Sequence, residues 1–323
     1  MKKVKIASGH GFWGDWLEAP IRQVRGGDID YLVLDYLAEV TMSILAKQQE
    51  RKPDYGYAKD FVDFISEVLP DLTERGIKVI SNAGGMNPKA LGQKIAEIAK
   101  SKGLSVSIAV IEGDNLIPQL DTLSNSLKHL ETGAALSSIA TEIKSANAYL
   151  GCESIVEALA GGAQIVVAGR LSDPSMVLGP LVHEFNWSET DWDKRAAGTL
   201  AGHLIECGAQ ASGGNCSLNW ESIEDLENVG FPIAEVAEDG TFEICKHPGT
   251  GGLINLASVK EQMVYEIGDP TAYITPDVIV DFTSAQLEEA GADRVKVSGV
   301  KGKARSDKLK VSISYQHGYR AVG

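Results

Sequence analysis

The chain has 323 residues, 44% of them hydrophobic and 23% charged, which fits a folded globular protein and argues against a disordered one. Its 44 acidic against 30 basic residues give a formal charge of −14, so extended contact with a nucleic-acid backbone is not expected. No apolar run reaches the roughly 18 residues that would mark a membrane span, and no signal-peptide pattern opens the chain. Cys152, Cys207, Cys216 and Cys245 have no CxxC spacing, so a reducing, cytoplasmic setting is expected and no metal motif is read.

Residues 4–7 read as a strand that ends in a glycine loop carrying His10. Residues 30–35 read as a buried strand with the Asp35 carboxylate at its end. Between residues 57 and 75, Phe61, Phe64, Ile65, Val68, Leu69 and Leu72 fall on one helical face; Pro70 is expected to kink this helix and Gly76 to end it. The next strand, 77–80, opens into Ser81-Asn82-Ala83-Gly84-Gly85-Met86-Asn87-Pro88, with Asn87 as N-cap and Pro88 as first helical residue. A helix stripe of Leu91, Ile95, Ile98 and Ala99 follows, then a strand at 106–110, a helix at 155–159, and a strand at 164–168 leading into Gly169-Arg170-Leu171-Ser172-Asp173. A long helix is expected over 191–207, started by a variant capping box of Thr190 and Asp193 and closed by Gly208. Beyond residue 210, strand-like pieces at 233–235, 242–245, 278–282 and 295–298 are separated by turns, and 299–308 reads as a basic loop.

This alternation predicts an α/β fold with a mostly parallel sheet and flanking helices, doubly wound and Rossmann-like, with a β/α barrel as the alternative. The C-terminal portion is expected to be more irregular α+β. Residues 1–210 are read as the α/β domain, and 211–323 as a mixed portion packed on it, either a second lobe or part of the same domain. In either architecture ligands bind beyond the C-terminal ends of the strands.

The candidate chemistry sits there. Gly84-Gly85, Gly213-Gly214 and the run around Thr250, Gly251 and Gly252 read either as cradles for a phosphate or carboxylate or as tight turns. None completes a dinucleotide or nucleoside-triphosphate fingerprint. Asn82 and Asn87 border the first of these loops. Asp35 and Glu39, one turn apart if a helix starts there, read as an acid–base pair or as a cap and a solvated carboxylate. His203 and Cys207 share a helical face beside Glu206, as a histidine-activated thiolate or as packed core groups; a metal reading lacks a third ligand. Arg170 is placed to grip a carboxylate or phosphate, or to pair with Asp173 and order the loop. His247, with Lys246 and Thr250, is a further anion-site candidate, and His10 a further candidate base. The five tryptophans read as pocket lining or as packing.

Several blocks together resemble one family over nearly the whole chain. They are Gly11-Phe12-Trp13-Gly14-Asp15, the run from Asp30 to Met42, Ala83-Gly84-Gly85-Met86-Asn87-Pro88, Gly202-His203-Leu204-Ile205-Glu206-Cys207-Gly208-Ala209-Gln210, Lys246-His247-Pro248-Gly249-Thr250-Gly251-Gly252, and Gly268-Asp269-Pro270 with Tyr273, Pro276 and Asp277. The sequence resembles the acyclic terpene utilisation (AtuA) family. That resemblance implies a link to bacterial breakdown of citronellol- and geraniol-like compounds, whose intermediates are coenzyme A thioesters. It carries over no catalytic residue, and longer members carry a further small C-terminal domain. The Arg170–Asp173 segment departs from the usual wording, which leaves room for a substrate other than a terpenoid.

The resulting expectation is a catabolic enzyme acting on a small carboxylate or acyl-coenzyme A thioester by lyase- or hydratase-type acid–base chemistry. Asp35 or Glu39 would be the acid–base group and the glycine loops would hold oxygens. Coenzyme A is expected only as part of the substrate, and homo-oligomerisation is left open. The alternatives are a non-catalytic ligand-binding or accessory subunit, and a Cys207-dependent hydrolase or transferase.

Overall fold

A computed structural model describes residues 2–139, 143–217 and 220–318. Chain order is β1 (Lys3–His10), α1 (Glu18–Gly26), β2 (Tyr31–Leu34), α2 (Glu39–Arg51), α3 (Lys59–Arg75), β3 (Lys78–Ser81), α4 (Pro88–Ser101), β4 (Ile108–Ile111), the short α5 (Leu120–Leu123), β5 (Ile143–Ala148), α6 (Glu153–Ala160), β6 (Ile165–Ala168), α7 (Ser175–Phe185) and α8 (Trp192–Ile205). Then come β7 (Ile233–Ala237), β8 (Phe242–Cys245), α9 (Leu256–Met263), β9 (Tyr273–Ile274), β10 (Ile279–Asp281), β11 (Gln286–Gly291), β12 (Arg294–Ser298), β13 (Lys301–Lys303) and β14 (Val311–Tyr315).

Nine strands form one sheet in the order β11-β12-β8-β7-β1-β2-β3-β6-β4. From β1 to β4 the neighbours are parallel, and from β1 to β11 they are antiparallel. The residues of β2 and β6 are all buried, as expected of central strands covered on both faces. Side chains alternate across the sheet with period two. Leu32 and Leu34 join Val24, Phe61, Phe64, Leu91 and Ile95 from α1, α3 and α4 on one face. Tyr31 and Val33 join Ile155, Leu181, Leu200 and Ile205 from α6, α7 and α8 on the other. Each fully buried Leu, Ile or Phe stabilises this sandwich by about 1.5–3 kcal/mol relative to exposure.

The mixed α/β class is as expected, but the strand order differs from a doubly wound sheet. Such a sheet adds parallel strands on both sides of its first one. Here parallel strands lie on one side of β1, and the antiparallel β7 occupies the other. No pairing among the described strands joins β11 to β4, so the sheet is open and not a barrel. The later strands β7, β8, β12 and β11 extend this same sheet. Two small sheets complete the fold: β13-β10-β9 and the antiparallel pair β14-β5, which joins residues more than half the chain apart.

Two local expectations fail for identifiable reasons. The start of α8 has no capping box. Its N-cap is Asp191, whose side chain does not cap the helix. Asp193 is instead held by Lys301 Nζ (2.8 Å) and the Gly302 N–H (3.0 Å). Those bonds come from β13, which lies within the stretch expected to be loop; Gly302 lets β13 approach α8 where a Cβ would meet Ala196 at 2.8 Å. Among the described residues no helix is long and apolar enough to cross a membrane.

Candidate active site

Three strand ends and two helix ends meet at a cavity of about 430 Å³. Asp35 follows β2, and its Oδ1 accepts hydrogen bonds from Asn82 Nδ2 (2.7 Å) and Leu37 N (3.0 Å). Asn82, just past β3, also accepts from Tyr36 N (2.8 Å) and so fixes the loop that carries Asp35. These bonds commit one carboxyl oxygen and leave Oδ2 to the cavity.

Arg170 follows β6 and is 3% exposed. Its guanidinium donates to the Leu37 carbonyl, pairs with Asp173 Oδ1 at 3.0 Å and lies 4.2 Å over the Tyr149 ring. Its backbone N–H donates to Asp114 Oδ2 (2.8 Å), which Asn147 also holds (2.7 Å). Gly169 is required beside it, because a Cβ there would sit 2.7 Å from the Asp114 carboxyl carbon.

Glu39 opens α2. It accepts from the Tyr149 hydroxyl and from Lys310 Nζ (3.2 Å). Lys310 lies 4.6 Å over the same Tyr149 ring, so two cations sit close to that ring. The remaining lining comes from the end of α8 and the turn after α9, with Glu206, Cys207, Gln210, Tyr265 and Glu266. Glu266 is held at φ +56°, the only described non-glycine residue at positive φ that is not Asp or Asn. Strain of this kind concentrates at functional sites.

The surroundings drive these carboxyls apart. Burial raises Asp35 to about 6 against the pull of Arg170 and the Asn82 bond. Asp173, with 33% of its side chain still accessible, is raised to about 7 by desolvation and then by the Asp35 charge, again against Arg170. Burial also works to raise Glu39, but the Tyr149 bond, its own N–H and Lys310 outweigh it and bring Glu39 down to about 2. Burial, Asp173 and Glu266 push Glu206 well above the ordinary carboxylate range. Burial, followed by Glu206, raises the Cys207 thiol and holds it protonated, so its surroundings give no thiolate for nucleophilic chemistry.

Asp35, Glu39, Arg170, Asp173 and Cys207 therefore share one cavity, with Asn82 directly behind it and His203 behind Glu206. Other candidates lie elsewhere. His10 is 1% exposed, packs against Tyr36 with ring centroids 4.9 Å apart, and is kept neutral by burial. His247 and Thr250 line a second cavity of about 200 Å³ with Trp16, Arg22 and Phe231. Lys246 is not free to serve an anion there, because Asp293 (2.9 Å) and the Thr250 carbonyl (2.8 Å) hold it.

Gly84, Gly85, Gly213, Gly214, Gly251 and Gly252 line neither cavity. A Cβ on Gly84 would meet the Ala168 carbonyl at 2.5 Å; Gly85 sits against Leu45 at φ +50°. Gly213 faces Ile223 and Gly214 the Ala209 carbonyl, while Gly251 packs on Asp225 and Gly252 on Ser212. These glycines allow close packing. Asn87 is likewise committed: its Oδ1 caps Ala90 N and its Nδ2 donates to the Pro53 and Tyr55 carbonyls.

One group of described residues has metal-ligand spacing, Cys152, Glu153 and Asp277. Arg195 already supplies a cation at 3.0 Å from Glu153, while Asp277 accepts from Cys152 N (2.9 Å) and Ser175 Oγ (2.5 Å). It reads as a closed hydrogen-bond network.

Sequence patterns did not single out Tyr149, Lys310, Glu206, Glu266 or Asp114 as site residues. Asp114 carried a usable signal, a carboxylate beyond an apolar strand. Tyr149 and Lys310 carried none, because each adjoins one strand of the long-range β5–β14 pair. The family model described as acyclic terpene utilisation family protein AtuA matches residues 4–323. No curated protein and no solved structure matches the chain.

Proposed function

The chain belongs to the acyclic terpene utilisation family AtuA, and on that premise we propose an acid–base enzyme that removes or adds water at a small carboxylate or acyl thioester. Ionised Asp35 takes the proton α to the carbonyl. Arg170 stabilises the negative charge that develops on the carbonyl oxygen. Protonated Asp173 gives its proton to the departing β-hydroxyl, which leaves as water as the carbon–carbon double bond forms. The cycle ends with Asp35 protonated and Asp173 ionised, and hydration runs the same steps in reverse.

The observation that carries this reading is the pair Asp35 and Asp173, raised to about 6 and about 7 beside one buried arginine. Carboxyls poised near neutrality are suited to exchanging protons with a substrate. Glu39, held near 2, is an anchor for Tyr149 and Lys310 and not a proton shuttle. With a thioester, the acyl end occupies the cavity and coenzyme A is only the handle outside it.

The test is hydration of enoyl thioesters and dehydration of 3-hydroxyacyl thioesters by the purified chain. Asp35→Asn and Asp173→Asn are each expected to lower turnover by about 10²–10⁴-fold. Unchanged turnover in both variants overturns the assignment.

A further inference from the structure

We infer that Glu206 serves this cavity as a neutral carboxylic acid locked by His203, and that its free oxygen Oε2 accepts a hydrogen bond from a hydroxyl of the substrate. The substrate class is then a hydroxylated acid or acyl thioester, not a plain acyl chain. The inference rests on the cavity being the substrate site.

The geometry of His203 fixes the protons. Its ring lies between Tyr273 and Phe282, with centroid distances of 5.5 Å and 5.3 Å. Nε2 is 3.0 Å from the backbone carbonyl of Gln262, which can only accept, so Nε2 carries a hydrogen. Gln262 Nε2 in turn donates to the His203 carbonyl (3.0 Å), clamping α8 to α9 around the ring. Nδ1 is 3.0 Å from Glu206 Oε1. In a neutral ring with hydrogen on Nε2, Nδ1 is an acceptor, and the proton of this contact belongs to Glu206.

The alternative is an imidazolium beside a carboxylate. It would place a full positive charge between two aromatic rings and a full negative charge among Asp173, Glu266, Asp35 and the Cys207 thiol. Among the described residues Arg170 is the one cation acting on Glu206, and its guanidinium is already engaged by the Leu37 carbonyl and the Asp173 carboxyl. Burial favours the uncharged pair from both ends, taking the imidazole down to about 4 and the carboxyl up.

That pairing consumes Oε1 and the acid's only proton. Oε2 remains, buried and without a partner, on a residue that lines the cavity. A carboxylic acid's second oxygen only accepts, so it requires a donor. A saturated acyl chain has none, whereas a β-hydroxyl supplies one beside Asp173, the proposed proton donor for its departure.

The test uses 3-hydroxybutanoyl and butanoyl thioesters of N-acetylcysteamine with the whole chain, together with ¹⁵N spectra of labelled histidine. The His203 ring is expected to show the Nε2–H tautomer without titrating between about pH 5 and 8. The wild type is expected to bind the hydroxy thioester about tenfold more tightly. Glu206→Gln should keep that preference, because its amide N–H donates to Nδ1 and its carbonyl takes the place of Oε2. Glu206→Leu should lose it.

An imidazolium signal for His203, equal wild-type affinities, or a Glu206→Gln variant that has lost the preference overturns the inference. If Glu206→Leu fails to fold, the isosteric Gln variant and the spectra still decide. Asp35→Asn separates the two levels: wild-type preference for the hydroxy thioester with no dependence of turnover on Asp35 defeats the acid–base reading and leaves the Glu206 assignment standing.

Discussion

Asp35 is tied down through one oxygen and open at the other, and its burial has a cost at neutral pH. Its folded value of about 6 lies above the ordinary 3.8. A carboxyl raised in this way contributes stability that is fully present below about pH 4 and lost as pH rises through 6. Asp35→Asn keeps an oxygen to accept from Asn82 and Leu37 and removes the charge. It is expected to be more stable than the wild type near pH 8 by up to about 3 kcal/mol, with the difference vanishing near pH 4. Calorimetry at the two pH values checks this; a variant that is less stable near pH 8 contradicts it. Glu39 shows the reverse logic, because the hydroxyl and ammonium that hold it favour the charged form. In the proposed mechanism Asp173, and not Glu39 four residues along the chain, is the partner of Asp35. Spacing along a helix carries no information about which carboxyl gains a cation.

Among the elements, α4 separates structural from chemical roles. Asn87 caps it and ties it to the segment before α3. Asn87→Ala is expected to destabilise the fold by about 1–2 kcal/mol in urea unfolding and to leave the Asp35 titration unmoved. A shifted titration would instead place Asn87 in the site. Much of this architecture was legible from residue order. The strands β2, β3 and β6 are short apolar runs, α3 has a clear apolar stripe, and Asn87-Pro88 marks a helix start. Other elements carried little signal. In α7 every residue but His183 and Glu184 is buried, so no polar face gives it a period. The β5–β14 pair depends on contacts between residues such as Ser145 and Ser314, which no local pattern announces. The glycine pairs misdirect for a physical reason: the missing Cβ that admits an anion equally admits a neighbouring backbone.

Across the whole molecule, the C-terminal portion completes the cavity begun by the parallel strands. Arg170, Asp35 and Gly11 follow strands β6, β2 and β1; Glu266 comes from the turn after α9, and Lys310 from the approach to β14. That division explains why only part of the site was readable. Residues placed directly beyond a strand inherit a position from the α/β pattern, whereas Lys310 and Tyr149 arrive through tertiary pairing. The lining is rich in carboxyls and has Arg170 and Lys310 as its cations, and the proposed mechanism has Asp35 and Asp173 titrate as a coupled pair. The most direct measurement is a ¹³C-carboxyl titration of aspartate-labelled protein, comparing the wild type with Asp35→Asn and Asp173→Asn. Two apparent midpoints near 6 and 7 are expected, one lost in each variant and the other shifted by loss of its neighbour. Midpoints for both groups at the ordinary value of about 4, unmoved by either substitution, would contradict an acid–base pair in this cavity.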